Sequence, residues 1–429
     1  MELSTTLTLA MLFLATSHHT GCHPLSSRQC VIKLMTCYDK ISFNPQSLLG
    51  VLHAILVRHK DLHGKPQPPR FVVDYRALNS VTKSDGFPLP EVIDILDWLG
   101  GGKAFAKLDL ANGYWQVPVH EEDREKTAVV THCGLFEFIS MPFGLKTAGA
   151  TFQRLMQATF SDFLMGNVTS SSDHQHGFCM PYVDDLIVRN MSHVDALEHY
   201  RRIFERATQV GMQFKPSRCT LFSTHLEVLG HVVTLNGRIP DPKKIHAITN
   251  FPMVNSQSAV QKFLGMVAFY RHHIPRFAQR TYHLWQLLQK NKKIQLTTQV
   301  EAEFNDLIAV LTVPDVLLHY PHWSKPFHVH TDASKLGVGA VLMQEDDQHC
   351  LRPLQYATQA FSPTQQRWDT GEQELYAVKW AVEQWRPYLL GRKFIIETDH
   401  ANLKWLCSIA PHKAKLARWA SLQIGRAHV

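Results

Sequence analysis

Two adjacent carboxylates, Asp184 and Asp185, sit inside the run Tyr182-Val183-Asp184-Asp185-Leu186-Ile187-Val188. The aromatic and β-branched residues around them call for a strand, and on a strand neighbouring side chains point to opposite faces. Both aspartates reach one centre only where the chain reverses at a tight hairpin tip. Such a tip suits magnesium, which takes one or two carboxylates and completes its shell with substrate phosphates. A second pair, Asp346-Asp347, has no strand around it and reads as a solvated loop.

A third carboxylate in matching surroundings is Asp109. The segment Ala104-Phe105-Ala106-Lys107-Leu108-Asp109-Leu110 reads as a strand, and Ala111-Asn112-Gly113-Tyr114-Trp115-Gln116 then turns the chain. Three carboxylates at strand ends can hold two magnesium ions about 3.5–4 Å apart, the arrangement that serves an in-line phosphoryl transfer. Further along, Pro326 to Asp332 reads as a strand ending in a carboxylate, and Gly337 to Leu342 as the returning strand. Glu374 lies in a helix over Glu372 to Leu389, and Asp399 closes a strand over Phe394 to Thr398.

Phe71-Val72-Val73-Asp74-Tyr75-Arg76-Ala77-Leu78-Asn79, Lys107-Leu108-Asp109-Leu110, Met141-Pro142-Phe143-Gly144-Leu145-Lys146, Ala150-Thr151-Phe152-Gln153-Arg154 and Tyr182-Val183-Asp184-Asp185 resemble successive motifs of a reverse transcriptase, in order. The chain is similar to the Pol polyprotein of gypsy-type LTR retrotransposons, from about Gln46 to Gln423. That resemblance implies an α+β polymerase of fingers, palm and thumb, followed by an α/β RNase H-like domain that is C-terminally truncated. Residues 46–235 become fingers and palm, 236–324 thumb and connection, and 325–423 the RNase H-like domain.

The resemblance also assigns roles. Asp109, Asp184 and Asp185 become the polymerase carboxylates, and Asp332, Glu374 and Asp399 the metal-binding set of the RNase H-like domain. Lys60 and Arg70, on a β-hairpin of His53–Val57 and Phe71–Tyr75, match residues that grip the incoming triphosphate; a plain solvated hairpin charge is the alternative for each. Tyr114 matches the ring beneath the nucleotide sugar, where it would clash with a ribose 2′ hydroxyl. Phe143, Gly144 and Lys146 belong to the loop that packs on the nascent base pair, with Lys146 directed at phosphate. Arg218 stands where the family has lysine; if that lysine protonates pyrophosphate, arginine is a poor substitute, with Lys215 as the compensating residue.

The implied activity is RNA-directed DNA synthesis on a primed RNA or DNA template from deoxynucleoside triphosphates, with RNA:DNA hybrid as the RNase H substrate. Magnesium is the expected cofactor, manganese its substitute. The rival reading is a decayed or co-opted element that binds nucleic acid without catalysis. A net charge of +7 suits a polyanion partner, and the eight cysteines contain no C-x-x-C pair, so neither a zinc knuckle nor a disulfide framework is indicated. Nothing in the sequence fixes the oligomeric state.

Several segments depart from the pattern. Residues 1–45 read as an unrelated leader: Leu7 to Ala15 is apolar, but no basic residue precedes it, so an intracellular retroelement particle is expected over secretion or a membrane. Gly166 to Phe178 is polar and inserted relative to the family, and Pro181 removes a donor from the strand that should support the aspartate hairpin. Asp369-Thr370-Gly371 spells the aspartic protease triplet, yet Thr370 with Gln373 fits a helix capping box instead. The last residues, Ile424 to Val429, can be encoded by sequencing-adapter read-through. Without a final family strand, Phe394 to Thr398 is expected to form an open apolar edge.

Overall fold

The computed structural model describes residues 52–57, 70–131, 134–164, 177–289, 295–313, 316–398 and 427–428. The leader, Lys60, most of the 166–178 insertion and Asp399 lie outside them. The chain divides into two compact units, Met1–Glu91 with Gly102–Ser223, and Val92–Gly101 with Thr224–Val429.

The strands of the first unit are β1 (Leu52–Val57), β2 (Arg70–Val73), β3 (Ala104–Asp109), β4 (Val129–Thr131), β5 (Gly134–Phe136), β6 (Cys179–Tyr182), β7 (Asp185–Asn190) and β8 (Thr220–Ser223). They form two sheets, ordered β2-β1-β4-β5 and β6-β7-β3-β8. Alternation along β3 decides what the second sheet can do. Ala106 and Leu108 enter a core with Leu186 and Val188 of β7, Phe152 and Met156 of helix α2 (Ala148–Thr159), and Tyr200, Ile203 and Phe204 of helix α3 (His193–Gln209). Lys107 and Asp109 therefore share the other face. Helix α1 (Arg76–Val81) follows β2.

The supporting strand doubted from Pro181 is present. β6 pairs with β7 over its full length, Pro181 opposite Leu186, and it is the edge of its sheet, where proline is tolerated. Helix α3 starts at His193, where the Ser192 hydroxyl caps it by accepting from the Asp195 amide at 3.1 Å.

In the second unit, β9 (Leu226–Val228), β10 (His231–Val233) and β11 (Arg238–Pro240) form an antiparallel sheet. Helices α4 (Pro242–Thr249), α5 (Gln257–Ala268) and α6 (Thr298–Thr312) close a core around Phe263, Leu264, Phe304 and Leu307. The largest sheet is ordered β14-β13-β12-β15-β16, from β12 (Phe327–Ser334), β13 (Gly337–Glu345), β14 (Leu351–Ala360), β15 (Phe394–Thr398) and β16 (Ala427–His428). β12 and β15 run parallel, and the chain between them passes through β13, β14 and then helix α7 (Thr370–Gln384), whose Leu375, Val378 and Ala381 cover Phe327, Val329 and Leu342.

Three local expectations are corrected. Asp369, not Thr370, caps α7, its carboxylate accepting from the Glu372 amide at 2.8 Å. The helix predicted to run to Leu389 ends at Gln384 and restarts as a short turn over Arg386–Leu389, because Pro387 cannot continue the hydrogen-bond ladder. The edge at Phe394 and Ile395 is covered, since Ala427 and His428 pair with them in parallel. Among the described residues, no helix is long and apolar enough to cross a membrane.

Candidate active site

Antiparallel pairing of β3 with β7 sets Asp109 directly opposite Asp185, and Tyr182 pairs with Asp185 to close the β6–β7 hairpin. Val183 and Asp184 form its tip. Val183 has a φ of 51°, a left-handed conformation that a β-branched residue adopts only under constraint. Gln153 supplies the constraint. Fully buried on α2, its amide oxygen accepts from the Val183 amide at 2.7 Å and its amide nitrogen donates to the Pro181 carbonyl at 2.8 Å.

The carboxylates have distinct partners. Asp185 Oδ2 lies 2.9 Å from Lys107 Nζ, and Asp109 Oδ2 lies 3.8 Å from Arg218 Nη1. Asp184 Oδ1 is buried with no hydrogen-bond partner. Burial, together with the charges of Asp185 and Asp109, pushes the Asp184 carboxyl above the usual range. Glycine at 113 is required here: a Cβ would fall 2.9 Å from Asp184 Oδ1 and 2.8 Å from Phe152 Cζ. The partners Lys107 and Arg218 were not foreseen as such, although both lie in the motifs quoted for the resemblance or beside them.

Tyr114 follows this turn and packs against Phe143 and Phe152, ring centroids 5.2 and 5.3 Å apart. Burial, then the Asp184 charge, raises its hydroxyl pKa. Gly144, at φ 100°, takes a conformation that favours glycine. Its carbonyl accepts from Asn79 Nδ2 at 2.8 Å, while Asn79 Oδ1 accepts from the Lys146 amide at 2.8 Å. Lys146 Nζ donates to the Thr82 carbonyl at 2.8 Å. Arg70 begins β2, and Lys60 lies outside the described residues.

In the second unit, alternation along β12 turns Phe327 and Val329 toward α7 and turns His328, His330 and Asp332 to the opposite face. Asp332 Oδ2 is held by Arg276 Nη2 at 2.8 Å. Glu374 is buried on α7, and its Oε1 accepts from the Ala333 amide at 3.2 Å, one residue beyond Asp332. Asp399 follows β15 in sequence but lies outside the described residues. The Arg276 partnership is the feature of this half that sequence reading missed.

Residues 58–233 match the family model described as reverse transcriptase (RNA-dependent DNA polymerase), and residues 322–423 match that of the RNase H-like domain found in reverse transcriptase. The chain belongs to the reverse transcriptase family. Its relatives include the retrovirus-related Pol polyproteins of the Drosophila melanogaster transposons 412 and gypsy. The first is 37% identical over 349 residues, 81% of this chain and 27% of that polyprotein; the second is 33% identical over 373 residues, 84% and 34%. The chain thus spans about a third or less of the length of these relatives. The fold is shared with solved reverse transcriptases: a foamy viral protease-reverse transcriptase in complex with dsDNA aligns with a TM-score of 0.73 at 20% identity, covering 88% of this chain and 79% of that one. A second, of the same enzyme with an RNA/DNA hybrid, aligns at 0.68 and 19%, covering 88% and 51%. The architecture is therefore an α+β polymerase followed by an RNase H-like domain, and domains of both kinds are generally dependent on divalent metal.

Proposed function

We propose that this chain is an RNA-directed DNA polymerase that adds deoxynucleotides to a primer on an RNA or DNA template, with an RNase H-like domain directed at the RNA strand of hybrids. The pairing of Asp109 with Asp185, with Asp184 at the adjoining tip, carries the reading. The relatives are transposon polyproteins, and the foamy viral neighbours were solved with dsDNA and with RNA/DNA hybrid, which supports nucleic acid as partner and an intracellular element particle as setting. Residues 46–235 are assigned to fingers and palm, 236–324 to thumb and connection, and 325–423 to the RNase H-like domain.

Magnesium fits the donor set. Ionised carboxylates accept only, and Asp184 Oδ1 is buried with no donor to meet it. Asp109, Asp184 and Asp185 would hold it, and when bound it supplies activation of the primer 3′ hydroxyl and charge neutralisation of departing pyrophosphate. Gln153 fixes the tip that presents Asp184. Lys107 holds Asp185 in place through an ion pair. Tyr114 and Phe143 form an apolar floor suited to the sugar and base, while Lys60, Arg70 and Lys146 are the candidates for triphosphate contact. In the second unit Asp332, Glu374 and Asp399 form the corresponding nuclease set.

Primer extension on an RNA template tests the proposal. The purified chain should extend a primer in magnesium, and Asp185→Asn should abolish extension with duplex binding retained. Undiminished extension by that variant removes the assignment. Tyr114→Ala should admit ribonucleotides by deleting the ring that meets the 2′ hydroxyl, and unchanged deoxy-to-ribo selectivity would reject the sugar-gate role.

A further inference from the structure

The face of β12 that carries Asp332 also carries a cluster that the polymerase and nuclease readings leave unused. His328 and His330 are two residues apart and so share that face, and the parallel register sets Glu397 of β15 directly beside His330. His328 Nδ1 lies 2.9 Å from Glu397 Oε1, and His330 Nε2 lies 2.7 Å from Glu397 Oε2. One donor atom from each residue falls within 4.8 Å of the other two, and among the described residues no other trio of histidine, cysteine or carboxylate side chains does so. The acidic polymerase triad is less closed than this one.

Two observations separate the cluster from an ordinary imidazole–carboxylate pair. His330 Nε2 is shielded from solvent and aimed at Glu397 Oε2 alone, 2.7 Å away. His328, whose side chain is 8% exposed, brings a second imidazole into the same carboxylate. A carboxylate of β15 set against two ring nitrogens of β12 is the donor set of a borderline-soft divalent cation, and two imidazoles with one carboxylate is a recognised zinc arrangement. Magnesium, which demands oxygen ligands, is disfavoured.

We infer that His328, His330 and Glu397 form a zinc site that clamps β15 to β12. The site is separate from Asp332, which is paired with Arg276. It does not depend on polymerase activity. Its fourth position is left to solvent, and its effect is to fix β15 next to the chain that continues to Asp399.

The test uses the full chain, stripped with a chelator and returned to buffer containing excess magnesium to fill hard carboxylate sites. Zinc alone is then titrated against a chromophoric chelator, and cobalt(II) replaces zinc for visible spectroscopy. The chain holds 26 histidines, so the measured quantity is a difference between variants. His330→Gln and Glu397→Gln, both at partly exposed positions, should each lose one equivalent of tight zinc and the tetrahedral cobalt bands, and should lose the zinc-induced rise in melting temperature. Each variant's circular dichroism is compared with that of the parent; if one does not fold, the other decides. Equal stoichiometry and equal cobalt spectra in parent and variant, or no tight zinc in the parent, would overturn the site and leave a metal-free hydrogen-bonded cluster.

Discussion

Asp184 bears the electrostatic cost of the proposed polymerase site. Its carboxyl pKa is raised by burial and by the charges of Asp185 and Asp109. A group with a raised folded pKa contributes stability that is fully present below its unfolded pKa and is lost as pH rises through the folded value, so at neutral pH the ionised Asp184 opposes folding. Asp184→Asn keeps the shape and removes the charge. In chelator-treated buffer at neutral pH its melting temperature should exceed the parent's by about 2 °C, a gain of ~1 kcal/mol at most. The gain should vanish near pH 3, roughly the range where the unfolded carboxyl is protonated. Added magnesium should reverse the order by stabilising the parent alone. A variant that melts with or below the parent at neutral pH without metal would contradict this account. The hairpin that brings the aspartates together was legible, because two adjacent carboxylates in an apolar run can face one centre only at a tight reversal, and Asp184 stands at that tip with Asp185 opposite Asp109. Gln153 was quoted within a motif, but its grip on Pro181 and Val183 was not foreseen, since the contact joins positions 28 and 30 residues apart and leaves no local pattern.

The elements around the site were read well where periodicity was unbroken and poorly where side chains set the boundary. β15 runs from Phe394 to Thr398 as expected. Helix α7 begins at Thr370 because Asp369 caps it, and stops short because Pro387 follows. The loop over Met141 to Lys146 shows the same dependence on side chains. It has little regular structure, and Asn79 of α1 holds both Gly144 and Lys146. If that loop packs on the nascent base pair, releasing it weakens nucleotide binding more than chemistry. Asn79→Ala removes two hydrogen bonds, so KM for the incoming deoxynucleotide should rise about tenfold, equivalent to ~1.4 kcal/mol, with kcat changed less than about threefold. Steady-state primer extension measures both. A fall in kcat with KM unchanged would show that the clamp serves the transition state instead.

Across the whole second unit, the partnerships least visible in sequence are the most distant. Arg238, with 1% of its side chain exposed, pairs with Asp97 across 141 positions, and Tyr388 donates to the same carboxylate across 291. Nothing in a linear pattern marks such a network, although a buried arginine without a carboxylate is too costly to persist. The Arg276–Asp332 pair is of the same distant kind but has a different consequence. Its side chains are 63% and 40% exposed, so it adds little stability and weakens with salt. Arg276 nevertheless occupies an oxygen of the carboxylate that the nuclease reading gives to metal. A cation bound at Asp332 meets the positive charge of that guanidinium, which is never lost. Removing it should tighten metal binding. In a background carrying Asp184→Asn and Asp185→Asn, which removes two carboxylates of the proposed polymerase site, Arg276→Gln should lower the manganese dissociation constant several-fold, about 1 kcal/mol or less. The measurement is free manganese by electron paramagnetic resonance at low ionic strength, and the difference should shrink as salt is raised. Equal manganese affinity with and without Arg276 at low salt would mean that the arginine yields Asp332 at no cost and does not restrain the site.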